Sequence, residues 1–213
     1  MTRPALRLLV ATRNAGKLHE LGPMVEAAGF QPVSLEDAGV APSAEEDALE
    51  SHDTFEENAL AKARWFEGLT RATLGVGVLA DDSGLAVEAL GGAPGVRSKR
   101  WSGSPLMGRA LDRENNRVLL ASLGDTSARR AMYVCVAAIV WQGGELLARG
   151  ETTGVILETP RGRNGFGYDP YFRSDDLGMT FAEARSETKA RVSHRARAVR
   201  NVLDRYVTRL AGR

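Results

Sequence analysis

Short apolar runs along the chain alternate with stretches whose apolar residues recur at helical spacing. Arg7 to Ala11 (RLLVA) reads as a short buried strand. Thr12-Arg13-Asn14-Ala15-Gly16-Lys17 follows as a turn opening a helix, with Leu18, Leu21 and Val25 on one face. Gly22-Pro23 is expected to kink that helix, since proline lacks a backbone donor and crowds the preceding turn. Ala38 to Asp53 is acidic and irregular. Thr54-Phe55-Glu56-Glu57 has capping-box form and predicts a helix through Asn58, Lys62 and Trp65. Val76 to Ala80 predicts a second strand, ending at the turn formers Asp81-Asp82-Ser83-Gly84. Asp112 to Leu123 is helical by pattern. Ala131 to Trp141 is a long strand, turned by Gln142-Gly143-Gly144 into a return strand over Glu145 to Arg149 that Gly150 to Ile156 extends. Val192, Ala196, Val199, Leu203, Tyr206 and Leu210 form one apolar stripe on a last helix. Interleaved strands and helices with one long hairpin make the class α/β with a mixed sheet and flanking helices.

Composition narrows the function classes. The chain has 213 residues, 43% of them hydrophobic, which suits a single folded domain and excludes a disordered chain. The formal net charge is +1, so no overall bias calls for nucleic acid or a membrane. The longest uncharged run, Ala131 to Gly144, falls short of the roughly 18 residues a membrane span needs, and Leu8 to Ala11 is too short for a signal-peptide core. Cys135 is the only cysteine, which excludes intrachain disulfides and leaves the cytoplasm as the expected location. The charge is segregated: Arg185 to Arg213 holds nine Lys/Arg and two acids, a formal +7, against −6 on the rest.

Four segments are candidates for chemistry. Thr12 to Lys17 places backbone N–H groups and a lysine at a helix N-terminus, which suits a phosphate, although a plain strand-to-helix turn has the same pattern. It is no P-loop, because Ala11 and Leu18 stand where that motif needs Gly and Ser or Thr. Asp81-Asp82 follows an apolar strand. In extended backbone the two carboxylates point to opposite faces, so one can hold a divalent ion while the other orients water; a solvated turn is the alternative. In Asn164-Gly165-Phe166-Gly167-Tyr168-Asp169-Pro170, the glycines let backbone approach a flat ring and Phe166 or Tyr168 stack on it; a tight turn is the alternative. Lys189, Ser193, His194 and Arg195 open the last helix and suit phosphate or a base carbonyl, or simply a solvated helix face. The G-x-G-x-x-A match at Gly75 to Ala80 lies in or before a strand, the wrong context for a dinucleotide site. Cys135 sits mid-strand, as a buried structural thiol.

Taken together, LLVATRNAGKLHEL, DTFEENALAKA, LADDSGLAVEALGGAPGV, NGFGYDP and ETKARVSHRARA, spanning Leu8 to Ala198, resemble the inosine triphosphate pyrophosphatase family. The resemblance implies an elongated α/β fold, one domain of two lobes with a central active-site cleft, usually as a homodimer. It implies cleavage of ITP, dITP and XTP to monophosphate and pyrophosphate, with magnesium, to clear deaminated purines from the nucleotide pool. By position it implies catalytic Asp82 with Asp81 beside it, Thr12, Asn14, Lys17 and Lys62 at the phosphates, and Ser83 in contact with substrate. It implies Phe166, Gly167, Tyr168 and Asp169 in a base-binding loop, and Lys189, His194 and Arg195 at the base and its carbonyl.

Three departures from the family pattern stand out. Arg13 replaces a common glycine, which is expected to be tolerated if its side chain points outward. Asn164 replaces another glycine, as a residue able to adopt a left-handed conformation. The acidic metal segment, usually E-E-T-G-x-T-F, reads Glu50-Ser51-His52-Asp53-Thr54-Phe55, with Glu45-Glu46 upstream; Glu50 has the right spacing to Thr54 and is favoured beside Asp82 as metal ligand, while Glu45 is the alternative if extra residues loop out. The competing readings are a nucleic-acid-binding protein using the basic C-terminal region and a pyrophosphatase for other modified nucleotides.

Overall fold

The computed structural model describes residues 6–74 and 77–212. Gly75 and Val76, and with them the start of the G-x-G-x-x-A match and of the second predicted strand, lie outside the described residues, as does Arg213. The elements are β1 (Leu6–Val10), α1 (Ala15–Ala27), β2 (Phe30–Ser34), α2 (Phe55–Leu74), β3 (Gly77–Val87), α3 (Gly108–Leu123), β4 (Arg130–Trp141), β5 (Gly144–Ile156), β6 (Phe172–Ser174), α4 (Ser186–Val192) and α5 (His194–Ala211). Short 3₁₀ helices cover Ala44–Glu50, Glu88–Leu90 and Gly95–Arg100. The six strands form one mixed sheet in the order β2-β1-β3-β4-β5-β6. β1 is parallel to both β2 and β3, while β5 and β6 are antiparallel. The expected α/β class with a mixed sheet and flanking helices is the observed one. No helix among the described residues is long and apolar enough to cross a membrane.

The chain divides into two compact units. The first holds the chain up to Asp82, Cys135–Gly150 and the chain from Arg195; the second holds Ser83–Val134 and Glu151–His194. Each has its own core. The first buries Leu8 and Val10 of β1, Leu21 and Val25 of α1, Cys135 and Ile139 of β4, and Val199, Leu203 and Tyr206 of α5. The second buries Leu85, Leu119, Tyr133, Ile156, Phe172 and Phe181.

α1 continues through Pro23 as one helix. Three local expectations are corrected. The acidic segment contains a 3₁₀ helix with a full capping box, in which Ser43 and Glu46 bond each other's backbone N–H groups. The second strand does not stop at Asp81: β3 continues to Val87, so both aspartates lie within a strand. The last helix is two helices. Ser193 is extended (φ −67°, ψ 147°), which parts Lys189 on α4 from α5. The apolar stripe crosses that break: Val192 packs against the second core, and the rest of the stripe against the first.

Candidate functional site

In the first unit, the turn after β1 is organised by its own polar side chains. Asn14 caps α1, its Oδ1 accepting from the Lys17 N–H (3.0 Å), and the Asn14 N–H donates to Thr12 Oγ1 (3.1 Å). The helix start thus lies one turn from a lysine. Lys17 reaches β3, where its Nζ lies 3.0 Å from Asp81 Oδ2.

Strand alternation then separates the two aspartates. Asp81 is almost completely buried. Its Oδ2 accepts from Lys17 and from Arg195 Nε (3.2 Å), and the Cys135 thiol lies 3.7 Å away. Its Oδ1 is buried with no hydrogen-bond partner among the described residues. Burial alone would raise its pKa, but Lys17, Arg195 and Lys62 outweigh burial and hold the carboxyl well below the usual range. Arg195 is itself buried and pairs with Glu20; burial works against its charge, but Asp81 and Glu20 overcome it and raise its pKa. Burial and Asp81 push the Cys135 thiol up, so it stays protonated, as expected of a structural thiol.

Asp82, the next residue, has different neighbours. Asn58 Nδ2 donates to its Oδ2 (2.9 Å), and Asn58 Oδ1 accepts from the His52 N–H (3.0 Å). Four residues on along α2, Lys62 donates to Glu50 Oε1 (2.6 Å) and to the Asp81 carbonyl (2.9 Å). Burial raises the Asp82 pKa and the Glu50 charge adds to it; Lys62, Lys17 and the Asn58 hydrogen bond pull the other way without cancelling the rise. Lys62 shows the complementary effect: burial lowers its pKa, but Glu50, Asp82 and Asp81 more than compensate.

The donor set bears on a metal. Among the described residues no group of three or more His, Cys, Asp or Glu could hold an ion unaided. Asp82 and Glu50 are nonetheless close enough for the Glu50 charge to raise the Asp82 pKa. The cluster includes the cations Lys17, Lys62 and Arg195 and the carboxylates Glu20, Glu50, Asp81 and Asp82. The oxygen donors of Asp82 and Glu50 fit a hard divalent ion that takes its remaining ligands from water and phosphate. Glu45 is exposed, and Glu46 is committed to Arg13.

The second unit holds the other expected site residues. Asp169 accepts from Lys189 Nζ (2.7 Å), from the Phe166 N–H (3.0 Å) and from the Tyr133 hydroxyl (3.4 Å). The His194 ring stacks on Tyr133, centroids 4.5 Å apart and planes 5° from parallel. Lys189 Nζ lies 5.2 Å from the Phe166 ring centroid. Tyr168 is 4% exposed and donates to the Ser98 carbonyl (2.8 Å), whereas Phe166 is only half-buried. Of the two proposed stacking rings, Phe166 is therefore the accessible one. Ser83 is half-buried.

Gly165 has φ +73°, and a Cβ there would lie 2.0 Å from Asp169 Oδ2. Its lack of a side chain thus admits a carboxylate rather than a ring. Asn164 does not take up a left-handed conformation, since every positive φ among the described residues belongs to glycine; its Nδ2 donates to the Ala184 carbonyl (3.1 Å).

The structure brings Thr12, Asn14, Lys17, Glu50, Lys62, Asp81 and Asp82 into one unit, and Phe166 to Asp169, Lys189 and His194 into the other. Arg195, expected with His194 at the base, pairs with Asp81 and Glu20 in the first unit. Sequence reasoning missed Glu20, whose partner Arg195 is 175 residues away, and the role of Asn58. Asn58 was traceable in principle, because it lies one helical turn before Lys62 on the same face.

Comparison with known proteins gives a consistent picture. The model of the Ham1 family matches residues 8–205. A dITP/XTP pyrophosphatase of Symbiobacterium thermophilum is 46% identical over 203 residues, covering 93% of this chain and 94% of that protein. One of Syntrophobacter fumaroxidans is 45% identical over 193 residues, 90% of this chain and 78% of that protein. A solved HAM1 protein from Coxiella burnetii superposes with a TM-score of 0.76 at 33% identity, covering 98% of this chain and all of its own. A nucleoside-triphosphatase / dITP/XTP pyrophosphatase from Mycobacterium abscessus gives 0.67 at 41% identity, covering 90% and 95%. With a family model spanning nearly its whole length and relatives this similar, the chain belongs to the Ham1 family.

Proposed function

We propose that the protein hydrolyses triphosphates of deaminated purines, ITP, dITP and XTP, to the monophosphate and pyrophosphate. The observation that carries this reading is the gathering, in one compact unit, of a capped helix start, two lysines and the carboxylate Asp82 with its raised pKa. The names of the relatives, dITP/XTP pyrophosphatase, support the same substrate class.

The N–H groups opening α1, together with Lys17 and Lys62, would hold the phosphates and oppose the charge that builds on them as the bond breaks. Asp82 is the general base. It takes a proton from the attacking water, whose oxygen bonds to the α-phosphorus as the α–β bridge breaks and pyrophosphate leaves. A raised pKa strengthens a carboxylate as a base, and Asn58 fixes its orientation. Asp81 is unsuited to that task, because three cations stabilise its ionised form. Magnesium, held by Asp82 and Glu50, would neutralise phosphate charge. Phe166, Lys189 and His194 are assigned to the base. A site whose polar groups go unpaired against the wrong base discriminates strongly, by roughly 10⁴ in favourable cases. Homodimerisation and a cytoplasmic location belong to the same proposal; exposed Leu106 and Met107 offer apolar surface to a second copy.

Pyrophosphate release from a panel of triphosphates with magnesium tests the reading. Turnover of ITP, dITP and XTP well above ATP and GTP is expected. A protein idle on all three, or one faster on the common purines or on modified pyrimidines, would contradict it.

A further inference from the structure

Arg13 is expected to point outward from the turn it occupies; it is exposed, and each of its guanidinium nitrogens nonetheless donates a hydrogen bond. Nε donates to Glu46 Oε2 (3.1 Å) and Nη2 to Glu46 Oε1 (2.8 Å), a bidentate pair. Nη1 donates to the Val40 carbonyl (2.9 Å) and Nη2 also to that of Ala41 (3.1 Å). The group lies 6.0 Å from the Phe66 ring centroid on α2. Its acceptor Glu46 is no ordinary surface acid. It closes the capping box of the 3₁₀ helix Ala44–Glu50, accepting from the Ser43 N–H (3.2 Å). Glu50, the last residue of that helix, is the one that meets Lys62 (2.6 Å). Arg13 itself stands between Thr12 and the helix cap Asn14. One side chain therefore ties the turn at the start of α1 to Val40, Ala41 and Glu46, the part of the acidic segment that leads into Glu50.

We propose that Arg13 is a positioning residue that clamps the segment from Val40 to Glu50 onto the turn before α1 and so sets the place of Glu50 beside Lys62. The inference rests on the functional reading above insofar as Glu50 serves the metal. A glycine at position 13 offers none of these contacts, so this chain holds its acidic segment in a way the glycine form of the turn lacks. The clamp acts one step further out than a direct partner of the candidate ligand, since Glu46 lies four residues before Glu50; losing a direct partner typically weakens metal binding by a factor of ten or more, so the effect here is expected at the lower end of that range.

Two measurements on the full chain test it, using Arg13→Ala and Glu46→Gln. In amide hydrogen exchange, Arg13→Ala should speed exchange over residues 40–51 while β1 and β3 keep their wild-type protection. In ITP turnover, it should raise the magnesium concentration for half-maximal rate by about tenfold, with kcat at saturating magnesium within about twofold of wild type. Glu46→Gln should shift both readouts the same way but less, because the carbonyl contacts remain. Unchanged exchange over residues 40–51, or an unchanged magnesium requirement in an active enzyme, would overturn the proposal. A general loss of protection, in β1 and β3 as well, would also overturn it, since Arg13 would then be a stability residue only. A wild-type protein without turnover would instead remove the functional reading, and the exchange result would still decide whether the clamp exists.

Discussion

Lys17–Asp81 in the first unit and Lys189–Asp169 in the second are both ion pairs between largely buried side chains, at 3.0 and 2.7 Å. Their surroundings differ. Asp169 accepts from the Lys189 ammonium, the Phe166 N–H and the Tyr133 hydroxyl, and that lysine lies over two phenylalanine rings. That pair sits among aromatic rings, and its carboxylate holds the Gly165–Asp169 turn through the Phe166 N–H. Asp81 is a node in a larger set of charges, with two cations on one oxygen and none of its hydrogen bonds on the other. It holds Lys17 and Arg195 beside a second carboxylate, Asp82, that is not itself neutralised. A closed pair stabilises a shape; an open cluster holds charged groups ready for a ligand. The comparison predicts that mutations in the first unit will mainly affect turnover and those in the second mainly stability and base selection.

The largest expected effect is on Asp82. Asp82→Asn should lower kcat by about 10³-fold, within the usual range for a lost general base, while the melting temperature stays near wild type because Asn58 can still bond the amide. Coupled pyrophosphate release and a thermal melt check both halves. Asp169→Ala sharpens the contrast. It removes the buried carboxylate that pairs with Lys189, so unfolding in urea should show a loss of about 3 kcal/mol, whereas a loss confined to kcat would erase the distinction.

The sequence made part of this division legible. The opposite environments of Asp81 and Asp82 follow from strand alternation alone, and the polar turn before α1 was visible as T-R-N-A-G-K. The turn formers Asp81 to Gly84 hid the continuation of β3, because pairing within the sheet overrides local propensity. The stripe from Val192 to Leu210 hid the break at Ser193, since its spacing holds across the break while the packing partner changes. Glu20 left no local trace, as its meeting with Arg195 is produced by the tertiary fold.

Acid should separate the two aspartates. Asp82 must be ionised to act, and in the metal-free protein its raised pKa means that the ionised form, and with it the capacity to take up magnesium and turn over, is lost as pH falls through a value above the ordinary 3.8. The lowered pKa of Asp81 contributes stability that is present above the unfolded value and is lost only as pH falls below it. Turnover should therefore fail at a higher pH than folding does, leaving an acidic window of folded, idle protein; circular dichroism and rate measurements on the same samples would reveal it. The smallest effect is expected at Tyr168→Phe, which removes the bond to the Ser98 carbonyl and should lower stability by about 1 kcal/mol with little change in kcat.

Hydrolysis of dITP in ¹⁸O-labelled water with magnesium addresses the chemistry most directly. Attack at the α-phosphorus, with Asp82 accepting the water's proton, puts the label in the monophosphate and none in the pyrophosphate. Label in pyrophosphate or orthophosphate, or undiminished labelling by Asp82→Asn, would contradict the account.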